Sequence, residues 1–429
     1  MTVRTITVDM IARVEGEGAL DLEIRNGRVE RAELRIFEPP RLFEALLRGR
    51  SSAEAPDITA RICGICPVAY QMSSVQAMEN AFGIAVDPQV RLLRRLLYCG
   101  EWIESHGLHV VMLHAPDFLG YADAIRMADK HGEMVKAGLA LKKAGNDLMR
   151  VLGGREIHPV NVKVGGFYRA PRKAELAPLI APLQRGLDLA RAILRWTTGF
   201  EIPNYTRDYE FVALRHATDY PINEGRIVSS KGIDVTAQDY ETAFEERHIA
   251  HSTALHSVTK ARGHYMVGPL ARYNLNFDRL PAEIQGLAKE AGLGPKVSNP
   301  FQSILVRGVE LAFACDEALR LIAAYEPPSS PATPAVPRAA TGMAATEAPR
   351  GMIWHRYRLD DAGRILEARI VPPTSQNQGT IEDDLRDVAT LNIALPDDAL
   401  RDRCEQAIRN YDPCISCSTH FVKLTVHRD

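Results

Sequence analysis

Four of the seven cysteines fall into two Cys-x-x-Cys pairs, Cys63/Cys66 in RICGICPVAY and Cys414/Cys417 in DPCISCSTH. A single pair of this kind is a redox dithiol, half of a zinc site, or chance. Two pairs supply four thiolates, enough for a tetrahedral Zn(Cys)₄ centre. Structural zinc pairs usually stand about 15–20 residues apart on small knuckles. Here they bracket almost the whole chain, so they meet only if its ends fold together. Polar residues accompany them: Arg61, Asp412, His420, Glu15 in RVEGEG and Arg350 in EAPRG. A fold clip needs none of these. Cys99, Cys315 and Cys404 stand alone in helical-looking contexts and read as small buried hydrophobes. An odd cysteine count argues against a disulfide framework.

The elements that must position these groups follow from patterning. Residues 3–8 and 20–37 alternate apolar and polar around Asn26-Gly27, which predicts short strands and a hairpin. EPPRLFEALLRGR turns through Pro39-Pro40 into a short helix. Residues 88–114, 174–200 and 301–325 carry apolar residues at helical spacing. A stretch rich in Pro and Ala, from Glu326 to about Ala345, reads as a loop. MIWHRYRLD and ARIVPP predict a second hairpin around Asp361–Gly363, and a last helix spans about 396–410. The 429 residues are 46% hydrophobic and 25% charged, ordinary globular values. With 52 Lys+Arg against 54 Asp+Glu, the net charge of −2 gives no field for nucleic acid. The amino terminus has no apolar run after a basic start, and no 18-residue apolar stretch occurs. The expectation is a cytoplasmic protein with no membrane span.

Further motifs occur in a fixed order between the cysteine pairs. They are SHGLHVVMLHAPDF (Ser105 to Phe118), GGREIHP (Gly153 to Pro159), VGPLARYN (Val267 to Asn274), EAPRG (Glu347 to Gly351) and PTSQN (Pro373 to Asn377). Together with the cysteine pairs they resemble the large subunit of nickel–iron hydrogenases over nearly the whole chain. The likeness is greatest to the cytoplasmic NAD(P)-linked branch that includes the sulfhydrogenases. A related subunit of complex I lacks the four cysteines. The expected fold is α+β and predominantly α: a long central helix bundle, small peripheral β-sheets, and terminal segments converging on a buried metal site. One domain is expected over 1–429. It comprises a β-rich segment 1–60, a helical core 61–325, a loop 326–349, a C-terminal segment 350–420 and a cleavable tail 421–429.

The resemblance implies roles for single residues. Cys63 and Cys414 would be terminal nickel ligands, while Cys66 and Cys417 would also bridge to an iron carrying cyanide and carbon monoxide. Arg350 would stand beside one cyanide, and Thr374 would donate to the other with Pro373 as apolar wall. Asp117 would pair with or orient Arg350. The proton from dihydrogen would pass from the Cys414 sulfur to Glu15. Glu44, the Ile370 carbonyl and His420 would hold magnesium or a similar ion, because hard oxygen donors suit it. Two positions depart from the common family pattern: Tyr70, where a histidine is frequent four residues after Cys66, and Glu17, where EGH is frequent.

The resemblance also implies partners. No further cysteine group could hold iron–sulfur clusters, so electrons would leave through an iron–sulfur small subunit. The chain has no G-x-G-x-x-G fingerprint, so flavin or NAD(P) would sit on diaphorase-type subunits. Nickel-insertion proteins and a protease cutting after His420 would complete maturation. The rival readings are a dihydrogen sensor using the same ligands and a non-catalytic Cys₄ zinc scaffold.

Overall fold

The computed structural model describes residues 3–38 and 42–419. The expectations for Pro39-Pro40, for His420 and for the 421–429 tail lie outside the described residues.

The first sheet follows the alternating pattern. Strands β1 (Val3–Val8), β2 (Gly18–Arg25) and β3 (Arg28–Ile36) are antiparallel in the order β1-β2-β3. Asn26 and Gly27, with φ of 51° and 74°, form the turn between β2 and β3. Two positive φ values are what a tight hairpin requires, and Asn-Gly supplies them at low cost. A short helix, α1 (Phe43–Leu47), follows.

Helix α2 (Pro67–Phe82) starts directly after the first cysteine pair. Cys66 is its N-cap residue and Pro67 occupies the first turn, where a missing N–H costs nothing. The bundle is built from α3 (Pro88–Leu108), α4 (Ala124–Gly153), α5 (Lys173–Thr197) and α6 (Ser303–Ala324). Helix α3 packs on α4 and α6, and α5 packs on α4 and α6. The α3–α4 crossing is close: a Cβ at Gly145 would lie 2.5 Å from the Gly100 carbonyl oxygen. Helix α3 runs on through a π-helical stretch, His109–His114.

The region 203–266 departs from the expected helical core. It holds short strands, among them β4 (Phe244–Arg247) paired with β5 (His256–Thr259). Gly, Pro and Asp punctuate this stretch too often for helix. The expected 326–349 loop also ends early. Ala340–Ala348 is strand β6, antiparallel to β7 (Gly351–Leu359), which pairs with β8 (Ile365–Val371). The small residues that made β6 look like linker let it lie flat on α2. The β7–β8 turn falls around Asp360–Gly363, as the pattern predicts.

Helices α7 (Pro373–Leu391), α8 (Asp397–Arg409) and α9 (Ile415–Ser418) complete the C-terminal part. The molecule is thus α+β and predominantly helical, with small sheets around a helix bundle. Among the described residues no helix is long and apolar enough to cross a membrane.

Candidate metal centre

The two chain ends do converge. The Sγ atoms of Cys63, Cys66, Cys414 and Cys417 all lie within 4.8 Å of one another, and all four residues are buried. Cys414 Sγ stands 3.5 Å from that of Cys63 and 2.8 Å from that of Cys417. Local structure explains each pair. The backbone N–H groups of Ile65 and Cys66 donate to Cys63 Sγ at 3.3 and 3.1 Å, so the bend itself stabilises a negative sulfur. Cys414 caps α9, and its N–H donates to Thr374 Oγ1 at 2.9 Å. Pro373 and Thr374 open α7 and are buried beside it.

The electrostatics fit a cation of multiple charge. Burial opposes ionisation of Cys63, yet hydrogen bonds from Cys414, Cys417 and Cys66, together with the Arg350 charge, hold its thiol well below the ordinary range. Burial pushes Cys414 and Cys417 well up. One negative sulfur therefore discourages the others. Only a metal centre would let all four ionise together.

Arg350 occupies the tip of the β6–β7 hairpin and is 3% exposed. Its Nε donates to the Asp412 carbonyl at 2.8 Å and its Nη2 to Asp412 Oδ1 at 3.2 Å. Its Nη1 is buried and has no partner among the described residues, and neither has the Tyr70 hydroxyl. Despite burial, the charges of Asp412, Cys414, Cys66 and Cys63 raise its pKa. A fixed cation beside the four sulfurs, with one donor unspent, is suited to an anionic ligand on the centre.

Glu15 is half-buried beside the second pair. Its Oε2 accepts from Cys414 Sγ and from the Ser416 N–H, both at 3.1 Å. Its carbonyl accepts from the Ile415 N–H at 2.8 Å, and the Glu15–Cys414 backbones form a parallel bridge.

Asp117 does not orient Arg350. It receives Arg409 Nε and Nη2 at 2.8 Å each, and Arg13 Nη2 at 2.5 Å. Arg409 also donates to the Ala12 carbonyl at 2.8 Å. Asp117 therefore pins the loop that carries Glu15 onto α8, and Asp412 is the carboxylate on Arg350. Asp412 has φ of 51°, a left-handed conformation uncommon for a non-glycine residue. Its place next to the cysteine pair was the one available sequence signal. Glu38 was missed altogether: its Oε1 accepts from Ser416 Oγ at 3.1 Å and from the Glu17 N–H at 2.6 Å. Glu44 lies against β8, where it accepts from the Ile370 N–H at 2.7 Å.

The intervening motifs act as scaffold. His158 donates to the Ala60 carbonyl at 2.8 Å, just before Cys63. Glu101 accepts from the Val68 and Ala69 N–H groups at 2.6 and 3.2 Å, holding the start of α2. Arg272 donates to the carbonyls of Ala348 and Pro349 at 2.7 and 2.8 Å, which fixes the hairpin under Arg350. Asn377 Oδ1 accepts from the Val267 N–H at 2.8 Å and ties α7 to the VGPLARYN segment.

A buried four-sulfur site assembled from both ends of an α+β chain, with an arginine and a carboxylate on it, is the arrangement of a metal-binding protein. Residues 41–140 and 264–420 match the nickel-dependent hydrogenase family. The chain is 35% identical over 422 residues to the alpha subunit of sulfhydrogenase 2 from Pyrococcus furiosus, covering 98% of this chain and 100% of that one. It is 33% identical to the sulfhydrogenase 1 alpha subunit of the same organism, covering 98% of each. Its fold superposes on the crystal structure of an NAD+-reducing [NiFe]-hydrogenase in the H2-reduced state. The TM-score is 0.87 at 25% identity, over 97% of this chain and 99% of that one. The chain belongs to the nickel-dependent hydrogenase family and is an oxidoreductase of that family.

Proposed function

We propose that this chain is the catalytic large subunit of a heteromeric nickel–iron hydrogenase that cleaves dihydrogen reversibly and heterolytically. The observation that carries this reading is the gathering of four buried thiols within 4.8 Å, with Glu15 hydrogen-bonded to one of them. Cys63 and Cys414 would hold nickel, and Cys66 and Cys417 would hold nickel and iron together. Such a centre supplies the Lewis acidity that polarises the H–H bond and a path for two electrons.

The chain's own residues handle the proton. Glu15 Oε2, at 3.1 Å from Cys414 Sγ, is within transfer distance of a proton on that sulfur. Glu38, linked to the same turn through Ser416, offers the next carboxylate toward solvent. Arg350, whose Nη1 has no partner among the described residues, would donate to an anionic iron ligand such as cyanide. The Thr374 hydroxyl, accepting from the Cys414 N–H, keeps its own proton to donate to a second one. Pro373 closes the pocket against water. Glu44, the Ile370 carbonyl and His420 are assigned to a magnesium-like ion. Electrons pass to an iron–sulfur small subunit and then, through flavin-bearing subunits, to NAD(P). The likeness to a hydrogenase that reduces NAD+ supports the nicotinamide end of that route. Nickel-insertion proteins and a processing protease belong to the same reading.

The test is infrared spectroscopy and elemental analysis of the complex purified from a strain with hydrogenase maturation machinery. Bands of iron-bound cyanide and carbon monoxide, nickel and iron in equal amounts, and rapid dihydrogen-dependent dye reduction are expected. Zinc alone at the four cysteines would establish a scaffold instead. A complete centre with only slow turnover would identify a dihydrogen sensor.

A further inference from the structure

A second group of metal-ligating side chains lies away from the cysteines. One ligand atom from each of His251, His256 and Glu382 falls within 4.8 Å of the other two. The three come from different segments: a loop, strand β5 and the middle of helix α7. His251 Nε2 donates to Glu382 Oε1 at 2.7 Å. His251 Nδ1 faces Glu33 of β3 at 3.8 Å. His256 is 3% exposed, and its Nε2 has no partner among the described residues.

A buried imidazole nitrogen without a partner is costly, and in native proteins such an atom calls for an explanation. Two imidazoles and one carboxylate make a donor set typical of zinc-type ions, with a water in the fourth position. Nitrogen donors disfavour magnesium or calcium. Tetrahedral bonds of about 2.0–2.1 Å place ligand atoms roughly 3.3 Å apart, so side-chain adjustment alone closes the site. Glu33 then plays the outer carboxylate that orients a ligating histidine and offsets the ion's charge.

We propose that His251, His256 and Glu382 bind a divalent transition metal of the zinc class. This site shares no residue with the four-cysteine centre or with the Glu44, Ile370 and His420 set. Its place in the fold gives it a purpose. Thr253, between the two histidines, donates its N–H to the Ile36 carbonyl of β3 at 2.8 Å, and Ala254 bridges to Thr419 beyond α9. Helix α7, which carries Glu382, has in its first turn the Thr374 that accepts from the Cys414 N–H. A metal here ties the N-terminal sheet to the C-terminal segment, the two ends whose meeting makes the cysteine site.

The test uses the intact complex, stripped with a chelator and dialysed against zinc chloride, with zinc, nickel and iron counted by mass spectrometry. Wild type is expected to hold one zinc more per chain than His256→Ala, with nickel and iron unchanged in both. Glu382→Gln and His251→Gln, at partly exposed positions that folding tolerates better, are expected to weaken zinc binding at least about tenfold. Cobalt in place of zinc should give d–d bands without sulfur-to-metal charge transfer. Equal zinc in wild type and all three variants would overturn the proposal and leave an ordinary ion pair. So would zinc uptake matched by loss of nickel, or cobalt bands of thiolate origin.

Discussion

Two buried arginines, 272 and 350, sit a few residues apart in space and serve opposite ends. Arg272 makes five hydrogen bonds, to Glu310, Glu347 and the carbonyls of Ala348 and Pro349, and lies 4.4 Å over the Trp102 ring. Every donor is spent. Arg350 bonds only to Asp412 and keeps a buried Nη1 unpaired among the described residues. A filled network rigidifies, whereas an unfilled one waits for a ligand. The difference separates scaffold from site within one hairpin.

The severest break is Cys414→Ser. It removes a sulfur shared by the Cys63, Cys417 and Glu15 contacts, and it should abolish dihydrogen-dependent dye reduction together with nickel retention in the purified complex. Glu15→Gln comes next. Metal content should stay at the wild-type level while deuterium–proton exchange falls about 10²–10⁴-fold, the usual worth of a positioned proton acceptor. Full exchange activity in this variant would remove Glu15 from the proton route.

The arginine pair itself is tested by reciprocal changes. Arg350→Lys keeps a charge but loses the forked donors. Activity should drop about 10²–10³-fold, with the melting temperature within about 3 °C of wild type. Arg272→Met takes the bonded cation away from two buried carboxylates, Glu310 and Glu347, and should cost roughly 3–5 kcal/mol of stability. Equal losses of stability in both would erase the distinction drawn between them.

The carboxylates around Arg272 add a pH signature. Burial raises the Glu347 pKa from 4.5 to about 7, while Arg272 holds Glu310 at about 2 against its own burial. A raised acid contributes stability that is complete below its ordinary pKa and is lost as pH climbs through the raised one. Wild type should therefore lose on the order of 2–3 kcal/mol relative to Glu347→Gln between pH 4.5 and 7. Denaturant titrations at both pH values measure the slope, and parallel curves would refute it.

What the residues disclosed, and what they hid, follows the same division. The cysteine pairs were legible because thiolate chemistry needs that spacing wherever the chain goes. Helix α3 was legible from its apolar period. Helix α4 was not, because Gly132, Gly138 and Gly145 interrupt the stripe that close helix packing requires. The first turns of helix α7 carry Ser375, Gln376, Asn377 and Gln378, all buried. Polar residues in such a run read as a turn until the backbone groups that Ser375, Gln376 and Asn377 satisfy come into view. Asp117 could be identified as a carboxylate with a purpose, but its partners Arg13 and Arg409 lie 104 and 292 residues away. Only the fold brings them to it.

Glu38 is the mildest case. It has no motif, and it accepts from the Glu17 N–H and from the Ser416 hydroxyl, the second of which links it to the turn that Glu15 grips. Glu15 is itself half-buried, so water offers its proton a second exit. Glu38→Gln should therefore slow deuterium–proton exchange less than tenfold, with nickel and iron content unchanged. Combined with Glu15→Gln it should add nothing, because a step downstream of a closed one carries no traffic. An additive loss in the double variant, measured by the same exchange assay, would place Glu38 on a separate route.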